Sequence, residues 1–72
     1  MQKDWPMHVR GILRSEMTRR GITYDDLVVL LSAHGVKETS PNLRNKFQRG
    51  LFSAVFFMQC LKAMGVQSIQ VD

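Results

Sequence analysis

The 72-residue sequence has one cysteine, no hydrophobic run long enough to span a membrane and no cluster of metal-binding side chains. Because a disulfide needs two thiols and Cys60 is the single cysteine, the chain cannot form an intrachain disulfide. A single thiol is more typical of proteins in a reducing compartment. Zinc usually needs four Cys or His ligands, whereas His8, His34 and Cys60 are scattered. The sequence also lacks a glycine-rich phosphate loop and a nucleophile with a neighbouring base. We therefore expect a soluble, cytoplasmic protein that is not an enzyme and holds no metal or cofactor.

Acidic residues are missing from the C-terminal half of the chain. None occurs between Thr39 and Val71. The same stretch contains four basic residues, Arg44, Lys46, Arg49 and Lys62. The formal net charge of the whole chain is +4. A domain with one purely basic half is typical of proteins that bind a polyanion.

Helix start and stop signals divide the chain into four segments. Each begins with a side chain that can cap a first turn and ends at a glycine, which tolerates a left-handed backbone. The pairs are Asp4 and Gly21, Thr23 and Gly35, Ser40 and Gly50, and Ser53 and Gly65. We predict one all-α domain over residues 1–72, with an N-terminal arm over about 1–5 and a tail over 66–72. The tail is compatible with a short strand, paired with the tail of a second copy, or with an extended segment.

The spacing of apolar residues predicts which faces of the two central helices point inward. In the second helix this face comprises Leu27, Leu30, Leu31 and His34. In the third helix Leu43 and Phe47 point inward, so the amide and guanidinium groups opposite them point outward. Asn and Gln can pair with adenine and Arg with guanine. The candidates for reading bases are therefore Asn42, Asn45, Gln48 and Arg49. The candidates for phosphate contacts are Arg19, Arg20, Tyr24, Lys37, Ser40, Arg44 and Lys46.

Three motifs carry a resemblance to known domains: Gly-Ile-Thr at 21–23, Phe-Gln-Arg-Gly at 47–50 and Ala-Met-Gly-Val at 63–66. They resemble the lambda-repressor-like helix-turn-helix domains of the Cro/C1 or XRE type. The segment from Asn42 onwards also resembles a family of short, uncharacterised bacterial domains. The resemblance implies a four-helix bundle that inserts its third helix, about residues 40–49, into the major groove. The stretch from Gly35 to Gly50 is longer than in those repressors, so the extra residues either lengthen the turn or extend the second helix.

The fourth segment has more apolar residues than one packed face requires. Between residues 52 and 64 only Ser53, Gln59 and Lys62 are polar, whereas a helix packed on one side needs an apolar stripe of about 100°. Either this helix is central in the bundle, or part of its surface joins two copies. We favour the homodimer. Its expected interface residues are Phe56, Phe57, Cys60, Met64, Ile69 and Val71.

These features together predict a transcriptional regulator that binds double-stranded DNA as a homodimer. The alternative is a protein-interaction module, antitoxin-like or an adaptor, that has the same fold and does not bind DNA. In that case the fourth helix and the tail would bind a different protein. RNA is less favoured, because the sequence lacks the exposed aromatic platform on which single-strand readers stack bases.

Overall fold

The computed structural model describes residues 4–71, and every regular element in that range is a helix. In chain order these are α1 (Trp5–Arg20), α2 (Tyr24–Ala33), α3 (Ser40–Arg49) and α4 (Ala54–Met64). Over residues 4–71 there is no strand, and no helix is long and apolar enough to cross a membrane. The predicted all-α architecture of four helices is therefore confirmed.

Three of the helices begin at the capping residue that the sequence predicts. Asp4, Thr23 and Ser53 each accept a hydrogen bond from the backbone N–H three residues further on. At α2 the cap is reciprocal, because Asp26 also accepts a hydrogen bond from the backbone N–H of Thr23. These bonds to Thr23 lower the pKa of the Asp26 carboxyl, since they stabilise its ionised form.

The start of α3 differs from the prediction by one residue. Thr39 caps this helix by accepting a hydrogen bond from the backbone N–H of Asn42. Ser40 is already helical, and its hydroxyl donates instead to the carboxylate of Asp25 in the first turn of α2. Thr39 and Ser40 are neighbouring residues whose hydroxyls could each cap α3. Because the Ser40 hydroxyl bonds Asp25, the cap is Thr39.

Phe47 of α3 lies fully buried where the helices meet. Its ring contacts the rings of Tyr24, Phe52 and Phe56 at centroid distances of 5.5, 6.2 and 6.5 Å. α1 and α2 each pack against both α3 and α4. The other fully buried residues are Leu13, Leu27, Leu31, Leu43 and Cys60. Because Leu43 and Phe47 anchor α3 through one face, the opposite face of α3 is turned to the surface.

Packing against two helices accounts for much of the apolar surface of α4. α1 and α2 both pack against it. Its buried residues are Phe56, Cys60, Leu61, Ala63 and Met64. The bundle therefore covers a wider arc of α4 than a helix packed on one side would need.

The inward face of α2 is shorter than predicted. Leu27 and Leu31 are buried and Leu30 is partly buried, but His34 is exposed. α2 ends at Ala33, and the ring Nδ1 of His34 bonds the carbonyl oxygen of Leu30 at 3.0 Å. Residues 34–39 therefore form the turn between α2 and α3, and α2 does not extend into them.

The end of α3 touches the first turn of α1 at Gly50. This residue has a φ of 62°, and a Cβ placed on it would collide with the backbone carbonyl group of Pro6. Only glycine fits this contact, because any side chain would meet backbone atoms that cannot move aside. The contact fixes the C-terminal end of α3 against α1.

The tail returns to the bundle without forming a strand over residues 66–71. Val66 and Ile69 are partly buried against the core. The carbonyl oxygen of Val71 accepts a hydrogen bond from the ring Nε2 of His8 in α1. Asp72 and residues 1–3 of the predicted arm lie outside the described residues, and Trp5 is already part of α1.

Candidate nucleic-acid interface

The outward face of α3 carries the predicted base-reading residues. Asn42, Asn45, Gln48 and Arg49 are all exposed, whereas Leu43 and Phe47 on the other side of the helix are fully buried. The four side chains project from one short, anchored helix, so the structure brings this part of the predicted site together. It presents amide donors and acceptors beside one guanidinium, the groups that can bond base edges bidentately.

The first turns of α2 and α3 lie next to each other on this side of the molecule. Ser40 donates its hydroxyl hydrogen bond to Asp25, and the guanidinium of Arg44 lies 5.5 Å from the ring centroid of Tyr24. The Tyr24 ring meets Phe47 edge-on, so it is held by the core on one side and by Arg44 on the other. Ser40 and Tyr24 are thus positioned by intramolecular contacts, and Asp25 competes with any phosphate for the Ser40 hydroxyl.

Lys46 is engaged inside the molecule. Its ammonium lies 2.5 Å from a carboxylate oxygen of Glu38, and 4.3 Å from the ring centroid of Phe56. The Glu38 side chain is only 8% exposed. A buried carboxylate that lost its partner would be strongly destabilised, so this pair holds Lys46 in place. Lys46, predicted to contact phosphate, therefore carries a neutralised charge in this structure.

Arg19 and Arg20 are held in a similar way at the end of α1. Arg20 bonds the carboxylate of Glu16, and Arg19 lies 3.5 Å from the other oxygen of the same carboxylate. Glu16 is buried, at 5% exposure. Two of the predicted phosphate contacts thus share one negative charge. Arg19 remains largely exposed, whereas the Arg20 side chain is 31% exposed.

The predicted cations that form no ion pair within residues 4–71 are Lys37, Arg44 and Arg49. All three are exposed. Lys37 lies in the turn between α2 and α3, and the two arginines lie on α3. Among the residues predicted to contact DNA, the cations without an ion pair in this range therefore lie on α3 and in the turn before it.

The predicted dimer interface is divided between core and surface. Phe56, Cys60 and Met64 are buried within the bundle, so their side chains are already in contact with the protein's own core. Burial raises the pKa of the Cys60 thiol to about 12, which keeps it protonated. Phe57 and Ile69 are partly buried and pack against the core, and Val71 is 63% exposed. The large apolar residues of α4 that are exposed are Val55 and Met58 instead.

Glu16 and Glu38 were not anticipated from the sequence as parts of this surface. Glu16 could have been recognised, because Arg19 and Arg20 follow it at i+3 and i+4, where helical side chains meet. Glu38 and Lys46 lie in different elements, so no helical spacing signals their contact. Within residues 4–71, no group of three or more His, Cys, Asp or Glu side chains could hold a metal ion.

Comparison with known proteins gives one family. Residues 5–69 match the model described as "Domain of unknown function (DUF6471)", whose description names neither an activity nor a helix-turn-helix. No curated protein and no solved structure matches the chain. The match agrees with the expected resemblance to an uncharacterised family and spans all four helices. The chain therefore belongs to the DUF6471 family, a domain of unknown function.

Proposed function

We propose that this domain binds double-stranded DNA and that the outward face of α3 reads the bases. The observation that carries the proposal is the exposed row of three amides and one guanidinium opposite the buried Leu43 and Phe47. No acidic residue of α3 interrupts that face. Asn42 and Asn45 would bond adenine and Arg49 guanine, as these side chains do in the major groove.

The placement of α2 supports a helix-turn-helix. In such complexes the second helix of the motif lies in the major groove with its N-terminal residues on base edges, while the first crosses the backbone. The Ser40–Asp25 hydrogen bond and the Arg44–Tyr24 contact keep the first turns of the two helices side by side. In this arrangement Arg44 and Lys37 would hold phosphates on either side of the bases that α3 reads.

More specific proposals about the type of domain, its role and its oligomeric state follow from the same arrangement. The domain would be lambda-repressor-like, would act in the cytoplasm as a transcriptional regulator, and would bind a two-fold symmetric site as a homodimer. Of the interface residues predicted from the sequence, Phe57, Ile69 and Val71 retain accessible surface for a second copy. The dimer contact would therefore involve Phe57 of α4 and the tail more than the buried residues of that helix.

Selection of bound duplexes from a random pool at moderate salt tests the proposal. We expect enrichment of a short motif, and two copies of it about one helical turn apart if the protein binds as a dimer. A variant with Asn42→Ala, Asn45→Ala, Gln48→Ala and Arg49→Ala should select no motif, since phosphate contacts alone carry no sequence information. Recovery of the random pool by the wild-type protein, or of the same motif by the variant, contradicts the proposal.

The second candidate function is a protein-interaction module that does not bind DNA. It is favoured by Val55 and Met58, which are exposed next to each other on α4. For this function the charges of α3 are irrelevant. The two candidates are separated by Arg44→Ala with Arg49→Ala, which removes function only if DNA is the ligand.

A further inference from the structure

One face of α4 points away from the core and is apolar. Val55 and Met58 lie one turn apart on it, and they are 66% and 62% exposed. Together with four neighbours they line an open groove between α4 and the end of α2. These residues, called the α4 groove below, are His34, Ala54, Val55, Met58, Gln59 and Lys62. Single exposed apolar residues are common on protein surfaces, whereas adjacent ones in a groove are typical of a binding surface.

The charge around the α4 groove has one sign. Among the described residues, Lys62 is the only formally charged one that lines it. At the other end of the groove lies the first turn of α4, whose unpaired N–H groups carry partial positive charge. No Asp or Glu is among the described residues that line the groove. The groove thus combines an apolar floor with positive charge at both ends.

This distribution disfavours a second copy of the chain as the occupant. If two α4 helices paired antiparallel, Lys62 of one copy would face the positive first turn of the other. If they paired in parallel, Lys62 would face Lys62. Both arrangements bring like charges together, which opposes association. The complementary occupant carries carboxylates at the edges of an apolar ridge.

We propose that the α4 groove binds an acidic amphipathic helix of another protein. Val55, Met58 and Lys62 lie at i, i+3 and i+7 of α4 and extend along about 10 Å of it, which matches about two turns of a partner helix. Apolar side chains of that helix pack on Val55 and Met58, and its carboxylates lie near Lys62 and the first turn of α4. This is the helix-in-groove mode of recognition. It uses a different helix from the proposed DNA contact and does not depend on it.

Fluorescence anisotropy with three labelled helical peptides tests the chemistry of the occupant. The first peptide has a leucine ridge flanked by glutamates, the second has lysines in place of the glutamates, and the third has serines in place of the leucines. We expect saturable binding of the first peptide and binding at least tenfold weaker for the other two. Equal binding of the first and second peptides overturns the charge argument, and equal binding of the first and third overturns the role of the apolar floor. Absence of binding by all three overturns the proposal.

Variants locate the binding on the protein. Val55→Ser with Met58→Ser should weaken binding of the first peptide at least tenfold. Val29→Ser is the matched control, because Val29 is 68% exposed on α2 and does not line the groove. Lys62→Glu should shift the preference toward the lysine peptide. The proposal is overturned if Val29→Ser weakens binding of the first peptide as much as Val55→Ser with Met58→Ser does. It is also overturned if the wild-type protein sediments as a dimer and the double variant sediments as a monomer. DNA binding of the double variant should equal that of the wild type, so the two proposals can fail separately.

Discussion

Two buried carboxylates decide how much positive charge this protein can offer to a polyanion. Glu38 holds Lys46, and Glu16 holds Arg20 with Arg19 nearby. Exposed ion pairs contribute little to stability, but a buried carboxylate depends on its partner. These two acids therefore limit the phosphate contacts that a count of basic residues would suggest.

Replacing Glu38 with glutamine should strengthen the proposed DNA binding. The uncharged amide introduced by Glu38→Gln cannot neutralise Lys46, so the ammonium becomes available to a phosphate. The plot of log affinity against log salt concentration should then become steeper by about 0.9. Titration of a labelled duplex at several salt concentrations measures this slope.

The Lys46→Ala background provides the control for that change. If Glu38 acts through Lys46, Glu38→Gln should leave the slope unchanged once Lys46 is absent, as a double-mutant cycle would show. A steeper slope in both backgrounds would mean that the lost negative charge acts through the general field of the protein. An unchanged slope in the Lys46-containing protein contradicts the prediction.

Gly50 should be the least replaceable glycine at the helix ends. Gly50→Ala and Gly65→Ala both place a Cβ on a left-handed residue, which costs about 1 kcal/mol. At Gly50 the new Cβ would also collide with the backbone of Pro6, whereas at Gly65 no other group of the described chain lies within 4 Å of it. We expect Gly50→Ala to lower the free energy of unfolding by at least about 2 kcal/mol more than Gly65→Ala. Urea denaturation of the two variants measures this difference, and equal losses would contradict it.

At the scale of elements, the caps and glycine stops predicted all four helices. These signals are local, because a capping oxygen and the backbone N–H that donates to it lie three residues apart in sequence. The cap of α3 at Thr39, instead of Ser40, is the exception. Its cause is tertiary, since Ser40 bonds Asp25 from a neighbouring helix. Spacing alone cannot indicate such a contact.

The candidate DNA-binding site was predictable from the sequence where its residues lie on a single helix. The buried Leu43 and Phe47 fix the exposed face of α3, and the helical spacing of that face is readable from the sequence. The state of Lys46 was not predictable, because it depends on how the turn bearing Glu38 folds over α4. For α4, the sequence showed more apolar residues than one packed face requires. Which of them stay exposed depends on the packing of the other helices and could not be predicted from the sequence.

Gly11 offers a test of α1 as an element. A glycine inside a helix is less favourable than alanine by about 0.8–1.0 kcal/mol. Beyond the backbone of α1 itself, no atom of residues 4–71 lies within 4 Å of a Cβ placed on Gly11, so alanine fits there without a clash. Gly11→Ala should therefore raise the free energy of unfolding by about 1 kcal/mol. Thermal and urea unfolding measure the change, and destabilisation would show that another group approaches α1 at this residue.

At the scale of the whole molecule, the proposed DNA-binding face and the α4 groove lie on different helices. The exposed cations without an ion pair in the described chain include Arg44 and Arg49 on α3. The exposed apolar pair, Val55 and Met58, lies on α4, which packs against α1 and α2. The bundle thus offers two distinct surfaces, one suited to a polyanion and one to an apolar helix. A protein with these two surfaces would be able to bind DNA and a partner at once.

The salt dependence of duplex binding tests the central proposal most directly. A labelled duplex is titrated with wild-type protein, with Asn45→Ala/Arg49→Ala, and with Lys62→Ala as a control of equal charge change on α4. We expect wild-type affinity to fall steeply with salt, and the α3 variant to lose about 2–5 kcal/mol of binding with a slope shallower by up to about 0.9. The Lys62 variant should match the wild type. If wild-type protein shows no salt-sensitive binding, or if both variants lose the same affinity, the α3 face does not bind DNA.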